Sequence, residues 1–431
     1  MIRQVVIIAG GKGTRMGISA ETPKSLQLID GKSILERQIE FFVKNGFDEF
    51  LILLGYKSEQ VISYIQEISK HLQIKIDYEI EDLPLGTGGA LLNAFPSLKD
   101  KFVLILGDIV INTNIEDLVY ALKDGLNDLA MFYHPSHHPK DSDLLLLDSS
   151  QRISKIFTKP RDEGLYRNHG NAGCYAIKKY VLEKFIRNNQ IISKIDLDRE
   201  LLPKIIDDGF VAQGVRSHGF IRDCGTQDRL KYVNENWHQI ANTIFTKPAI
   251  FIDRDGTLNK LNGFITKLEQ INIFDDASYF ISEINKLNYW VIVITNQPVI
   301  ARGEVTTDML DKFHAKIEKN VSEKGGIIDD FFYCPHHPSK GFKGEISNLK
   351  VECKCRKPEV GLILEACEKY PINLANSWMI GDTWRDFELA NNSGLKFIQI
   401  TSNDLNESSL GSRVANSLVG ALEIIKQESI N

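Results

Sequence analysis

The sequence lacks an apolar run long enough to cross a membrane. Stretches such as Trp290 to Thr295 fall well short of the ~20 residues a spanning helix needs. Val5-Val6-Ile7-Ile8 is too short for the core of a secretion signal, so a cytoplasmic protein without a membrane partner is expected. It also lacks a basic excess: 51 Lys and Arg stand against 57 Asp and Glu, a net charge of −6. That argues against a nucleic-acid partner, while leaving room for a few local cations to hold a phosphate. No Gly/Ser- or Pro-rich linker, internal repeat or low-complexity tract is present. The 6 cysteines are too uneven for a disulfide framework. Cys334, Cys353 and Cys355 crowd beside His336 and His337, which in a reducing compartment reads as metal before disulfide.

What remains is an ordinary globular composition, 43% hydrophobic and 25% charged, over 431 residues, long enough for two or three domains. Val5–Ala9, Phe50–Leu54, Lys75–Glu79 and Phe102–Leu106 read as buried strands. Ser33 and Glu36 have capping-box spacing, Leu35, Ile39 and Phe42 share a helical face, and Gly46 follows the helix end. The pattern restarts at Ala249–Asp253 and continues through Trp290–Thr295, Trp378–Ile380 and Lys396–Ile400. The fold class expected is α/β with mostly parallel sheets, in two domains, 1–244 and 245–431.

In the second domain Asp253 and Asp255 sit just past a strand end, spaced so that both carboxylates approach one place. Paired carboxylates suit a hard cation such as Mg2+. One can attack phosphorus while the other handles the proton of the leaving oxygen and then of water. Thr295-Asn296 ends the next strand with a hydroxyl and an amide for phosphate oxygens, Arg356-Lys357-Pro358 brings cations, and Gly381-Asp382-Thr383 adds a carboxylate, with Asp386 four residues on. Cys334-Pro-His336 and Cys353-Lys-Cys355 form a Cys3His set suited to structural Zn2+, with His337 as the competing ligand.

This series resembles the haloacid dehalogenase-like phosphatases over about residues 248–402. The resemblance implies Asp253 as nucleophile and Asp255 as acid/base, with Thr295 and Lys357 on the phosphoryl group. It implies Mg2+ held by Asp253, Asp382 and Asp255 through its backbone carbonyl. Thr295-Asn296-Gln297, Ile300-Ala301-Arg302-Gly303 and Cys355-Arg356-Lys357-Pro358 are similar to the histidinol-phosphate and heptose-bisphosphate branch, where Asn296, Arg302 and Arg356 would meet substrate. Pro298-Val299 departs from the Ser-Gly usual there. The short interval between Asp253 and Thr295 leaves no room for a large cap.

In the first domain Gly10-Gly11-Lys12-Gly13-Thr14-Arg15-Met16-Gly17 follows the first strand, with glycines that let the backbone approach a polyphosphate. It is not a dinucleotide fingerprint, because its third glycine comes one residue late, and Gly31-Lys32-Ser33 is not a P-loop, because Leu26 stands where the leading glycine belongs. With Pro23-Lys24, Leu85-Gly86-Thr87-Gly88-Gly89-Ala90, Leu106-Gly107-Asp108, Thr158-Lys159-Pro160, Asn171-Ala172-Gly173 and Asp223 before Cys224-Gly225-Thr226, the loop resembles the sugar-1-phosphate nucleotidyltransferases over about residues 1–235. That resemblance implies that Gly10, Gly11, Gly13, Thr14, Gly86 and Gly88 bind nucleotide. Arg15 and Lys24 would face the triphosphate, Lys159, Asn171 and Gly173 the sugar phosphate, and Asp108 and Asp223 a Mg2+ ion.

Tyr78-Glu79-Ile80-Glu81-Asp82 makes this half most similar to the guanylyltransferase group. The two resemblances together imply a bifunctional enzyme. One half would trim D-glycero-D-manno-heptose 1,7-bisphosphate at C7, and the other would couple the 1-phosphate to GTP, yielding GDP-D-glycero-α-D-manno-heptose. The rivals are a hexose-1-phosphate transferase fused to a histidinol-phosphate-type phosphatase, and a sensor that binds phosphosugars without turnover. Nucleobase, anomer and homo-oligomeric state stay open at this stage.

Overall fold

Alternation of inward-facing aliphatic residues places Val5 and Ile7 in one core with Leu35, Ile39 and Phe42, and Val6 and Ile8 in another with Leu91 and Leu92 on the opposite sheet face. This computed structural model describes residues 2–11, 22–123, 125–136, 138–162, 164–188, 194–242, 246–261, 263–401 and 410–430. The chain divides into two units. One comprises Met1–His134, Lys140–Arg161 and His169–Thr243; the other comprises Pro135–Pro139, Asp162–Asn168 and Ile244–Asn431. The boundary expected near residue 245 falls outside the described residues.

In the first unit the Gln4–Ile8 strand lies between Glu49–Leu54 and Lys101–Leu106, parallel to both. Ile76–Ile80 extends the parallel part, and Gly170–Lys178 joins antiparallel on the other side of Lys101–Leu106. Because the chain leaves its first strand in both directions, the loops after Ile8 and Leu106 open side by side at the carboxyl ends of neighbouring strands. The Ile34–Lys44 helix is capped as expected at its start: Ser33 accepts from the Glu36 amide at 3.0 Å. The Glu36 carboxylate does not complete the capping box. It accepts from the Tyr64 hydroxyl at 2.5 Å instead.

The second unit is a six-stranded, wholly parallel sheet in the order Asp330–Cys334, Trp290–Asn296, Ala249–Ile252, Trp378–Gly381, Lys396–Ile400, Val414–Ala415. Its switch point falls between Ala249–Ile252 and Trp378–Gly381, so Asp253 and Asp382 emerge together. Between the Ala249–Ile252 and Trp290–Asn296 strands the described elements are a 3-10 turn at Leu268–Gln270 and the Ala277–Lys286 helix, which is no large cap. No described helix is long and apolar enough to cross a membrane.

Candidate functional sites

At the switch point of the second unit, Asp253 is 6% exposed and ends its strand with its amide donating to Ile380 O at 2.9 Å. Lys357 Nζ reaches Asp253 Oδ1 at 2.5 Å, Asp386 Oδ1 at 2.6 Å and Ile294 O at 3.0 Å. The Lys357 backbone is fixed by Asn296, whose Oδ1 accepts from the Lys357 amide at 3.0 Å and whose Nδ2 donates to its carbonyl at 3.2 Å. Asp386 is wholly buried in the first turn of the Trp384–Ser393 helix, where its Oδ2 accepts from the Thr383 amide at 3.1 Å and hydroxyl at 2.7 Å.

Asp253, Asp382 and Asp386 bring carboxylate oxygens within 4.8 Å of one another. Burial first, and then the charges of its acidic neighbours, raise the Asp253 carboxyl above its usual range against the pull of Lys357. Burial and Asp386 push Asp382 up to about 6. One ammonium among three acids leaves a negative site that a divalent cation would neutralise. Gly256 permits the close approach: at φ +100°, a Cβ there would lie 2.2 Å from Asp382 Oδ2.

The Asp255 side chain stands apart from this group. Its Oδ1 accepts from Arg254 Nε at 3.0 Å, and its Oδ2 accepts from Arg254 Nη2 at 2.7 Å and Gln297 Nε2 at 2.9 Å. The Asp255 carboxylate is thus not one of the three side chains gathered here, and Asp386 is the third. Thr295 is buried, with its Oγ1 accepting from Gln297 Nε2 at 2.8 Å. Arg302 is held between the rings of Phe264 and Phe342, at 4.1 and 4.4 Å from their centroids. Arg356 Nη1 donates to His336 O at 3.3 Å. Sequence reasoning missed Arg254 and Gln297 as site residues, since each sits inside a motif beside a residue with more conspicuous chemistry.

The Cys334, Cys353 and Cys355 sulfurs and a ring nitrogen of His336 lie mutually within 4.8 Å. Cys355 Sγ is 3.2 Å from Cys334 Sγ, 3.3 Å from Cys353 Sγ and 3.2 Å from His336 Nδ1. Tetrahedral thiolates around zinc would stand about 3.8 Å apart, so a small expansion of this group accepts a metal ion. Hydrogen bonding with Cys334, Cys353 and His336 outweighs burial and brings the Cys355 thiol down to about 5. His337 is not in the group: its Nδ1 accepts from the Ser339 amide at 3.2 Å.

In the first unit, antiparallel pairing of Phe220–Asp223 with Ile109–Asn112 sets Asp223 opposite Ile109, next to Asp108. The Cys224 amide then donates to Asp108 O at 2.7 Å. Lys24 Nζ lies 3.4 Å from Asp108 Oδ2. A Cβ on Gly225 would be 3.1 Å from Asp223 Oδ1, 3.3 Å from Asp108 Oδ2 and 3.6 Å from Lys24 Nζ, so the three groups surround this glycine. Gly10 and Gly11 follow the neighbouring strand; Gly13, Thr14 and Arg15 lie outside the described residues. Gly86 and Gly88 open the Gly86–Asn93 helix against the backbone of Ile195, whose carbonyl accepts from the Gly88 amide at 3.0 Å.

Asp143 joins Lys159 to Asn171: its carboxylate accepts from the Lys159 amide at 2.8 Å and its carbonyl from the Asn171 amide at 2.9 Å. Lys159 Nζ donates to Asp141 O. Asn171 Oδ1 accepts from the Gly173 amide at 3.1 Å, and its Nδ2 donates to Asp198 Oδ1 at 2.8 Å. Asp198 also accepts from the Tyr175 hydroxyl. Burial pushes its carboxyl up to about 7, with Asp143 and Asp196 adding to the rise and the Tyr175 and Asn171 hydrogen bonds opposing it. Sequence reasoning passed over Asp198, which belongs to no glycine motif, and Arg229, whose Nη1 donates to Asp223 Oδ1 at 2.5 Å.

The nucleotidyl transferase family model matches residues 4–240, more than half of the chain, and a HAD-hydrolase-like model matches residues 354–419. The chain is 31% identical over 185 residues to D-glycero-beta-D-manno-heptose-1,7-bisphosphate 7-phosphatase of Escherichia coli (strain K12), covering 42% of this chain and 95% of that protein. Among solved structures, HddC from Yersinia pseudotuberculosis complexed with GMP-PN is 25% identical with a TM-score of 0.47, over 55% of this chain and all of that one. A putative glucose-1-phosphate thymidylyltransferase from Bacillus anthracis shares the fold at 18% identity and a TM-score of 0.50, over 56% of this chain and 98% of that one. The chain belongs to the nucleotidyl transferase family, and it carries in the same polypeptide a haloacid dehalogenase-like phosphatase.

Proposed function

We propose that the phosphatase half, residues 245–431, removes the C7 phosphate of D-glycero-D-manno-heptose 1,7-bisphosphate, and that the transferase half, residues 1–244, couples the heptose 1-phosphate to GTP, giving GDP-heptose and pyrophosphate. The observation that carries this reading is the pairing itself. A half that is 31% identical to a 7-phosphatase of a sugar 1,7-bisphosphate would release a sugar 1-phosphate, and a sugar-1-phosphate nucleotidyltransferase consumes one. The guanine base rests on the resemblance carried by Tyr78 to Asp82.

In the phosphatase, an Asp253 oxygen bonds to phosphorus as the ester P–O bond breaks. The electron pair leaves on the sugar oxygen, which takes a proton from Asp255. Water then gives a proton to Asp255 and attacks phosphorus, freeing Asp253 and inorganic phosphate. Thr295 and Lys357 hold the phosphoryl oxygens, and Asp386 orients Lys357. Mg2+, held by Asp253, Asp382 and the Asp255 carbonyl, supplies charge neutralisation. Zn2+ on Cys334, His336, Cys353 and Cys355 supports the loop that leads into Lys357. These free thiols fit a reducing, cytoplasmic setting.

In the transferase, the sugar phosphate oxygen attacks the α-phosphorus of GTP and pyrophosphate leaves. Both reactants are anionic, so positioning and charge neutralisation dominate. Asp108 and Asp223 hold a Mg2+ ion, Arg15 and Lys24 face the triphosphate, and Lys159, Asn171 and Gly173 line the sugar side.

Purified protein given either anomer of the 1,7-bisphosphate, GTP and Mg2+ should release both phosphate and pyrophosphate, with GDP-heptose identified by mass spectrometry. Turnover of a hexose 1-phosphate with no reaction of either heptose anomer would overturn the substrate assignment.

A further inference from the structure

We propose that Gln297, locked by Arg254, is a positioning residue that aims the Asp255 proton at the leaving oxygen. This rests on the reading of Asp255 as the proton donor. Gln297 is 2% exposed and Arg254 is wholly buried. The Gln297 amide is used at both ends: Oε1 accepts from Arg254 Nη2 at 2.8 Å, while Nε2 donates to Asp255 Oδ2 at 2.9 Å and to Thr295 Oγ1 at 2.8 Å. Turning the amide over would set its oxygen against the carboxylate and its NH2 against the guanidinium, so the surroundings determine its orientation.

The consequence is an asymmetric carboxyl. Asp255 Oδ2 takes two donors, Arg254 Nη2 and Gln297, while Oδ1 takes Arg254 Nε. The oxygen with the lighter hydrogen-bond load carries the transferable proton, which assigns delivery to Oδ1. Because Gln297 Nε2 also holds Thr295, it sets the distance between the proton donor and the hydroxyl that meets the phosphoryl oxygens. Removing Nε2 leaves the Asp255 carboxyl held by Arg254 alone, free to turn its proton away from the ester oxygen. The bonds made and broken are those of the phosphatase reaction above; only proton transfer to the alkoxide depends on Gln297.

That dependence separates positioning from mere support of the fold. An alkyl leaving group needs the proton, whereas p-nitrophenolate leaves without it. First-turnover rates should be measured with heptose 1,7-bisphosphate and fructose 1,6-bisphosphate as alkyl esters and p-nitrophenyl phosphate as the aryl ester, before water attack on the aspartyl phosphate limits the rate. Gln297→Met should raise the aryl-to-alkyl rate ratio about tenfold or more, in the direction of the larger change given by Asp255→Asn. The aryl reaction also reports that the variant has folded. Equal losses on both ester types, or no loss on either, with Asp255→Asn still discriminating, would overturn the role of Gln297 and leave that of Asp255 standing. An Asp255→Asn variant that does not discriminate would overturn both.

Discussion

Lys357 Nζ stands 2.5 Å from Asp253 Oδ1, with both side chains almost fully buried. A buried ammonium between two carboxylates is tolerable because each charge is paired, and removing it leaves acids facing one another without compensation. Lys357→Met should therefore abolish phosphate release and destabilise the phosphatase half by about 3 kcal/mol. Pyrophosphate release from a sugar 1-phosphate and GTP should continue. A variant that keeps phosphatase turnover would show that the lysine does not hold the phosphoryl group.

Gly256→Ala should be nearly as damaging, although it changes one methyl group. The new Cβ would press on Asp382 Oδ2, and the positive φ disfavours any side chain. The expected result is weaker Mg2+ binding, seen as a titration of the initial rate shifted to higher Mg2+, with loss of phosphatase activity.

The Cys and His group predicts one tightly held zinc per chain by elemental analysis. Cys355→Ser should lose it and lower the thermal stability of the phosphatase half, because metal binding and folding are linked. His337→Ala should keep the metal, since His337 is turned to the Ser339 amide. Loss of zinc in His337→Ala would reverse the ligand assignment.

Asp198 gives the transferase half a pH signature. Its carboxyl is raised from 3.8 to about 7, so the folded chain holds this proton more tightly than the unfolded chain. The contribution to stability is therefore fully present below about pH 4 and is lost as pH rises through 7. Replacing Asp198 with Asn keeps an acceptor for Asn171 and removes the titration. Melting temperatures of the transferase transition between pH 5 and 8 should fall in the parent relative to Asp198→Asn, and parallel curves would refute the shift.

Asp108→Asn and Asp223→Asn should each cut pyrophosphate release by about a hundredfold or more, as expected when charge stabilisation is lost. Phosphate release from a bisphosphate should be unchanged. Loss of both activities would argue against two independent active sites.

The strands, the order of motifs and the two chemistries were legible because they depend on local pattern. Aliphatic runs ended in acidic or glycine loops, and open parallel sheets gather such ends at their carboxyl edge. Asp253 and Asp382 could be picked out on those grounds, whereas Asp108 and Asp223, with the roles of Thr295 and Lys357, followed from family resemblance. Gln297 and Asp198 could not, because neither has a side chain that announces chemistry from its neighbours in sequence. Their importance comes from partners that folding supplies: Asp255 and Arg254 for one, Asn171 and Tyr175 for the other.

The amino-acid sequence by itself determined that two α/β domains would each present carboxylates and cations at strand ends. Periodicity, glycine placement and residue chemistry act over a few residues. Tertiary structure alone decided how those groups pair. It chose His336 over His337, placed Asp386 beside Lys357, and turned the Asp255 carboxylate towards Arg254 and Gln297. These choices depend on which hydrogen bonds become available when distant segments pack, and spacing along the chain carries no information about that. Asp253 and Lys357, far apart in sequence, meet because parallel strands bring their loops to one edge and burial leaves each charge no better partner.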